Sequence, residues 1–417
     1  MGCCNRRCGL IAGAVFGAVV AILGGILIPV GKIVIEGTVE KETVIEPGTT
    51  AYDSWVSAGA NVYRQFWIFN LKNPVEVLQY GARPVVLEKG PYTYRIRYLP
   101  KENITFNPNH TASFLLPQGA IFEPSMSVGS EEDKITTLNL AVAYNGTYDG
   151  YYTVFSGKDD ISKVGMIDRW RGERSLHFWN DKYCDMINGT DASAFAPLLD
   201  KKKLIYFFSS DICRSASAQF EASLDLKGIE VYRYTLPPST LASPTVNPDN
   251  RCFCKNPKTT KNCTLAGVLD IGSCQDGRPV YMSLPHFLHG SPSLREDVLG
   301  LSPNEEHHNT FLDVEPTTGF TMRFAKRIQV NMMYGPSKVI TVLKKVKDYT
   351  IFPIVWLNET ASLDDQTADM FKNELISRIR TLELIQQVLL GTGVAIFALC
   401  LISYCVLRGR NSQSKLA

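Results

Sequence analysis

The sequence predicts an α+β membrane protein, two transmembrane helices with a mainly β ectodomain between them. Three observations predict it: two long uncharged apolar runs, six N-glycosylation triplets confined to the stretch between those runs, and six cysteines clustered in the same stretch.

The first run, residues 9–31, holds 23 residues without a charge. As a helix rising about 1.5 Å per residue it crosses a hydrocarbon layer of roughly 30 Å. A cleaved secretory signal is the competing reading. The run is longer than a signal's apolar core and no A-x-A site follows, so an uncleaved anchor is expected. Gly9, Gly13, Gly17, Ala21 and Gly25 place a small residue at every fourth position, a spacing that lets another helix come close. Its partner is either the second span, where Gly391 and Ala395 share the spacing, or another copy of the chain. That second span, residues 388–407, is equally free of charge.

Arg6 and Arg7 precede the first span, while Arg408, Arg410 and Lys415 follow the second. Lys and Arg collect on cytoplasmic flanks, so both tails, residues 1–8 and 408–417, are expected in the cytosol and residues 32–387 outside. Asn103, Asn109, Asn145, Asn188, Asn262 and Asn358 each begin an N-x-S/T triplet in that outer segment. Cys184, Cys213, Cys252, Cys254, Cys263 and Cys274 lie there too, an even number that predicts three disulfides in an oxidising compartment. Structural zinc is the alternative, and the cluster lacks a C-x₂-C pair. At the inner face, Cys3, Cys8 and Cys405 are candidates for palmitoylation, whereas Cys400 reads as an ordinary helix residue. Gly2 does not read as a myristoylation site, because Arg6 stands where that motif needs Ser or Thr.

Between the spans the chain reads mostly as strands. In residues 92–98, Tyr92, Tyr94, Ile96 and Tyr98 alternate with Thr93, Arg95 and Arg97. In residues 321–332, Met322, Phe324, Ile328, Val330 and Met332 alternate with Thr321, Arg323, Arg327, Gln329 and Asn331, and Lys326 interrupts the apolar side. Helices are predicted next to the membrane. Tyr52, Trp55, Val56, Val62, Tyr63 and Phe66 recur at helical spacing, as do Met370, Phe371, Leu375, Ile379, Leu382 and Ile385 ahead of the second span. With no repeat and no clear linker, one large ectodomain is expected.

The apolar fraction of 45% supports a sizeable core, and a net charge of +2 argues against a nucleic-acid partner. No nucleophile elbow, zinc-protease helix, phosphate loop or dinucleotide fingerprint occurs. The six histidines, among them His286, His289, His307 and His308, read as structural or surface residues. The basic runs 201–203 and 344–345 read as solvated faces. Neither cofactor nor metal is expected, and binding is a better reading than catalysis.

Several strings resemble the class B scavenger receptors, most nearly the fatty-acid translocases among them: NVYRQFWIFN at 61–70, GPYTYR at 90–95, GAIFEPSMSVG at 119–129, CDMINGTD at 184–191, FFSSDICRS at 207–215, NPDNRCFC at 247–254, GRPVYMSLPHF at 277–287, GFTMRFAKRIQVN at 319–331 and WLNET at 356–360. The likeness covers nearly the whole chain. It implies a β-barrel-centred ectodomain with a helical apex and an apolar tunnel toward the bilayer. It also implies the pairs Cys184–Cys252, Cys213–Cys274 and Cys254–Cys263, one of the fifteen pairings that six cysteines allow. Cys263 stands inside the Asn262 triplet, so its bridge is expected to limit glycosylation there.

By the same resemblance the expected ligands are long-chain fatty acids, oxidised lipoproteins and thrombospondin-type modules, the last near Glu131, Glu132 and Asp133. Contact with membrane lipid and a homo-oligomer are further expectations. The plasma membrane, with lipid rafts and endosomes, is the expected location. Two departures stand out. Leu407 occupies the place of a second tail cysteine, and LNLAVA runs directly into YNGTYDGYY at Ala143–Tyr144, where relatives carry several dozen residues that form the helical apex. A splice form or an incomplete gene model explains that junction. A trimeric ligand-gated channel also has two spans and a cysteine-rich exterior. Against it, the second span offers only Thr392, Ser403 and Tyr404 as polar lining.

Overall fold

We analysed a computed structural model, which describes residues 6–413 apart from 58, 59, 98, 139–147, 259 and 347. The chain forms two compact units, Met1–Lys41 with Asp365–Ala417, and Glu42–Asp364.

The first unit contains helix α1 (Arg6–Thr43), which outruns its apolar stretch through a stem carrying Lys32, Glu36 and Glu40. In the second unit a short helix, α2 (Thr50–Val56), begins at Thr49, whose hydroxyl accepts from the Tyr52 amide at 3.2 Å. Helices α3 (Pro74–Tyr80), α4 (Pro292–Glu296) and α5 (Glu305–His308) are short connectors. Back in the first unit, α6 (Asp365–Phe371) passes through a π-helical turn, Lys372–Ile376, into α7 (Ser377–Gln413).

Two long apolar helices make this a two-pass membrane protein. The partner of the small-residue stripe is α7 of the same chain. A Cβ at Gly13, Gly17, Gly24 or Gly31 would run into Cys400, Phe397, Leu390 or Gln386, and one at Gly393 into Ala21. Gly9 and Gly25 face open space. Gly13, Gly17 and Ala21 of the fourfold stripe therefore meet α7, and Gly24 and Gly31 carry the seam on from Gly17 at seven-residue spacing. With about 3.6 residues per turn, a strict four-residue stripe winds away from a neighbouring helix, while a heptad spacing stays against it. Gln386 adds a hydrogen bond from Nε2 to the Leu27 carbonyl at 2.8 Å. The Thr392 hydroxyl turns back to the Val388 carbonyl at 2.6 Å, satisfied by its own helix.

The second unit is rich in sheet. Its strands are β1 (Val62–Leu71), β2 (Val86–Ile96), β3 (Glu102–Asn107), β4 (Thr111–Pro117), β5 (Ala120–Phe122), β6 (Tyr148–Phe155), β7 (Ile167–Trp170) and β8 (Ile205–Ser209). They continue as β9 (Arg214–Leu226), β10 (Ile229–Thr235), β11 (Val268–Asp270), β12 (Val280–Ser283), β13 (Phe311–Val314), β14 (Thr321–Tyr334) and β15 (Thr350–Ser362). Eleven form one sheet, ordered β5-β2-β1-β15-β14-β13-β10-β9-β8, with β12 on the second half of β14 and β11 beyond it. The other four form a sheet ordered β3-β4-β6-β7. A shared core packs Phe114, Tyr152 and Val154 of the small sheet with Val280, Met282, Ile328 and Val330 of the large one.

Only the first part of the 52–66 segment is helical. Val62 to Phe66 belong to β1, which is paired on one side by β2 and on the other by β15. Valine and aromatic residues suit a strand between two neighbours, and that pairing overrides the helical spacing. Strand β14 keeps the expected alternation, but its polar side is sealed: Gln329 and Asn331 have no exposed surface. Asn331 Nδ2 donates to the Tyr281 carbonyl at 3.1 Å and to Ser283 Oγ at 3.0 Å, so the β12 segment covers it. In β2, Thr93 is buried and its hydroxyl donates to the Met126 carbonyl at 2.6 Å. Tyr98, like the Ala143–Tyr144 junction, lies outside the described residues. The strand after that junction, β6, is paired on both sides, by β4 and β7.

Three disulfides brace the second unit: Cys184–Cys252, Cys213–Cys274 and Cys254–Cys263. The first two close loops of 68 and 61 residues around the edge of the shared core. Loops of that length restrict the unfolded chain by about 4 kcal/mol each in the chain-entropy picture.

Candidate functional site

Strand β15 places successive side chains on opposite faces of the large sheet, and charge gathers on one of them. Glu359 has no exposed surface there. Its register partners are Arg64 of β1 and Lys326 of β14. Arg64 donates from Nε to Glu359 Oε2 at 3.1 Å, and a second bond from its guanidinium reaches the same oxygen. Arg97, just past the end of β2 and held at φ 53°, brings a guanidinium nitrogen to 3.0 Å from the other oxygen. Lys326 pairs with Asp211, from the turn that follows β8. The residue that broke the apolar side of β14 in the sequence is thus a member of this network.

Burial alone would push the Glu359 carboxyl up, but Arg97, Arg64 and Lys326 outweigh it and hold it well below the usual carboxylate range. Burial likewise opposes the charge on Asp211, and Lys326 and Arg64 lower its pKa instead. Arg97 is raised chiefly by Glu359. The network continues toward the small sheet. Burial lowers the Lys101 amine to about 8 against the opposing pull of Asp191. Lys101 donates to the Trp55 carbonyl and lies over the Trp55 and Phe114 rings. Burial opposes the Asp191 charge too, and Lys101 with two bonds from Ser193 lowers it.

The geometry is lopsided. Glu359 is sealed, while the side chains of Arg97 and Asp211 each keep 38% of their surface open. The open flank therefore presents one guanidinium and one carboxylate, with Arg64 and Lys326 less exposed behind them. Phe66, Tyr94 and Phe122 border the same face, with ring centroids 5.9 and 5.2 Å apart. Cations beside aromatic and aliphatic surface suit a ligand with an anionic head and an apolar body. Arg64 and Glu359, 295 positions apart, carried no signal in the sequence. Lys326, as a break in alternation, did.

The residues singled out in the sequence lie elsewhere. Cys8 and Cys405 are exposed and Cys400 faces Gly13 on α1; Cys3 is outside the described residues, as is Asn145. Asn103, Asn109 and Asn262 are exposed, while Asn188 and Asn358 are half-buried. Asn262 and Cys263 both take left-handed backbone, with φ of 62° and 63°. The acidic turn is exposed but tied to β2: Tyr92 OH donates to Asp133 at 2.7 Å and Tyr94 OH to Glu131 at 3.1 Å. Lys201 lies over the Phe220 and Tyr232 rings. His286 and His308, adjacent to nothing that marked them in the sequence, stack 4.5 Å apart on the opposite face of the large sheet.

Among known proteins, the CD36 family profile matches residues 15–144 and 140–404, two segments that meet at the Ala143–Tyr144 junction. Scavenger receptor class B member 1 of Cricetulus griseus is 30% identical over 447 positions, covering 91% of this chain and 86% of that protein. Lysosome membrane protein 2 of Rattus norvegicus is 31% identical over 454 positions, covering 91% of each chain, and that of Homo sapiens 32% over 433, covering 86% and 87%. The 447- and 454-position alignments are longer than the 417-residue chain, so those relatives carry residues that have no counterpart here.

Proposed function

The chain belongs to the CD36 family, a family of scavenger receptors, and on that premise we propose that it is a cell-surface receptor that binds lipids and lipoproteins and promotes their uptake. The observation that carries this reading is the partly open Arg97 guanidinium of the Glu359 network beside Phe66, Tyr94 and Phe122. A long-chain fatty acid matches it in chemistry, its carboxylate against Arg97 and Lys326 and its tail along the apolar face. Each methylene sheltered from water is worth about 0.8 kcal/mol, so laying the tail along this apolar surface favours binding. Both termini are cytosolic in this proposal, the receptor resides in the plasma membrane, and Cys3, Cys8 and Cys405 carry palmitate.

Oxidised lipoproteins and thrombospondin-type modules, the latter against Glu131, Glu132 and Asp133, are the larger partners of this reading. The junction at Ala143–Tyr144 reduces capture by the apex, because the several dozen residues that form the apex in relatives have no counterpart there. Adhesion and signalling follow from engagement of those partners.

The test is surface staining of intact expressing cells, with and without glycosidase, followed by binding of a labelled long-chain fatty acid. We expect saturable binding that Arg97→Met weakens by about tenfold, the loss of one charge-assisted hydrogen bond. Unchanged binding in that variant, or none in the parent at the surface, rejects the proposal. Binding of oxidised lipoprotein equal to that of a full-length relative rejects the reduced-apex part alone.

A further inference from the structure

The face of β15 opposite the network holds a pocket of about 460 Å³, lined by Trp67, His308, Arg327, Trp356 and Asn358 with the loop around Ser302. Such a volume lies in the small-molecule range. Trp67 and Trp356 stack at 3.9 Å and 2° on its floor. Asn358 is the asparagine of the Asn358-Glu359-Thr360 triplet, and it stands in mid-strand with Gln65 and Arg327 as its register partners. A group attached to its Nδ2 is therefore carried directly over this pocket and not into free solvent.

The polar atoms there are half used. Asn358 Nδ2 gives one hydrogen to Gln65 Oε1 at 3.2 Å and keeps a second. Asn358 Oδ1 and Arg327 Nε are buried without a hydrogen-bond partner. His308 Nδ1 accepts from the Asn304 amide at 2.9 Å, which puts the ring proton on Nε2, and that N–H has no acceptor among the described residues. His286 has the same tautomer: Nδ1 accepts from the Ser302 amide at 3.1 Å and Nε2–H donates to Glu88 at 2.7 Å. Rings protonated at Nε2, with Nδ1 occupied by a donor, do not ligate a metal there. The pocket offers unused N–H donors beside the half-buried Trp67 indole, the chemistry that receives a sugar: hydroxyl and acetamido oxygens accept, and the C–H face of the pyranose packs against the indole.

We propose that this pocket is the seat of the first N-acetylglucosamine of a glycan on Asn358. In the transfer, the Asn358 amide nitrogen forms a bond to C1 of the sugar and loses one proton, and the pyrophosphate of a lipid-linked oligosaccharide leaves with the electron pair of the broken C1–O bond. The remaining Nδ2–H still serves Gln65. The reading does not depend on what the network face binds.

The full-length chain, expressed in cells with a eukaryotic secretory pathway and purified in detergent without denaturation, tests it. Timed treatment with an amidase that cleaves the Asn–sugar bond, in heavy-oxygen water, marks each released site for glycopeptide mass spectrometry. Asn358 should carry a glycan and release it about tenfold more slowly than the exposed Asn103. Ser302 is exposed at the rim, so Ser302→Trp should fill the pocket, displace the sugar and bring release at Asn358 close to that at Asn103, with Ser302→Phe as the smaller filler if the first variant folds poorly. An unmodified Asn358, release as fast as at Asn103 in the parent, or release still slow in the filled variants overturns the proposal.

Discussion

Asn358 and Glu359 are neighbours in the chain and occupy opposite physical worlds. On the Glu359 side, three cations surround a sealed carboxylate in a core shared by two sheets. On the Asn358 side, Asn358, His308 and Arg327 join stacked rings around an open pocket. One strand separates a face whose charges must all be matched from one whose polar atoms are left partly unmatched. A buried charge is tolerated only when it is paired, whereas a buried polar atom without a partner costs about 1–3 kcal/mol until something fills it.

The largest expected effect breaks the comparison at its centre. Glu359→Gln leaves Arg64 and Arg97 without their counter-charge and should destabilise the second unit by about 3–5 kcal/mol, read from denaturant unfolding. Asn358→Gln in chain made without glycosylation should cost less than about 1 kcal/mol, since it disturbs a single long hydrogen bond. Equal losses would mean that the two faces are not different in kind.

Acid should come next. Burial, followed by His286, lowers His308 to about 4, against about 6.5 in an unfolded chain. Between those values the unfolded state binds more protons, so stability present above pH 6.5 is lost progressively down to pH 4, on the order of 3 kcal/mol. Melting temperatures measured from pH 7.5 to 4.5 should fall in the parent and fall less steeply in His308→Asn. The network carboxyls, held below the usual range, add their own loss only at the acid end, from about pH 5 downward.

A finer contrast sets Lys326→Met beside Arg327→Met. The first leaves Asp211 with Arg64 as its remaining opposite charge, and should cost about 1–3 kcal/mol, with the loss easing as acid protonates Asp211. The second frees the carbonyls of Glu306 and Asn309, which accept at 2.9 and 2.6 Å, and should loosen that loop with little dependence on acid, as followed by amide hydrogen exchange. Trp67→Phe trades one indole of the stack and should cost about 1 kcal/mol without moving the fatty-acid binding proposed for the other face.

Much of this was legible in residues taken singly. Charge-free runs announced the two long helices, and alternation placed β14 correctly, with Lys326 as the odd residue. The helical spacing from Tyr52 misled beyond Val56, because a strand paired on both sides draws its stability from partners far along the chain. His286 and His308 were read as structural or surface residues, and their stacking escaped notice for the same reason. His286 sits in the turn after β12 and His308 ends α5, and only the tertiary packing stacks them on each other beside Trp356.

The sequence alone determined a two-pass anchor, a sheet-rich body and family membership, since span length, residue period and shared strings are local properties. The tertiary structure decided that the small-residue seam meets the chain's own second helix and that Arg64, Arg97, Lys326 and Asp211 converge with Glu359. It also turned the Asn358 triplet toward a pocket of indoles and imidazoles. Those outcomes depend on register between segments distant in the chain, and a shift of one residue would exchange the two faces of β15.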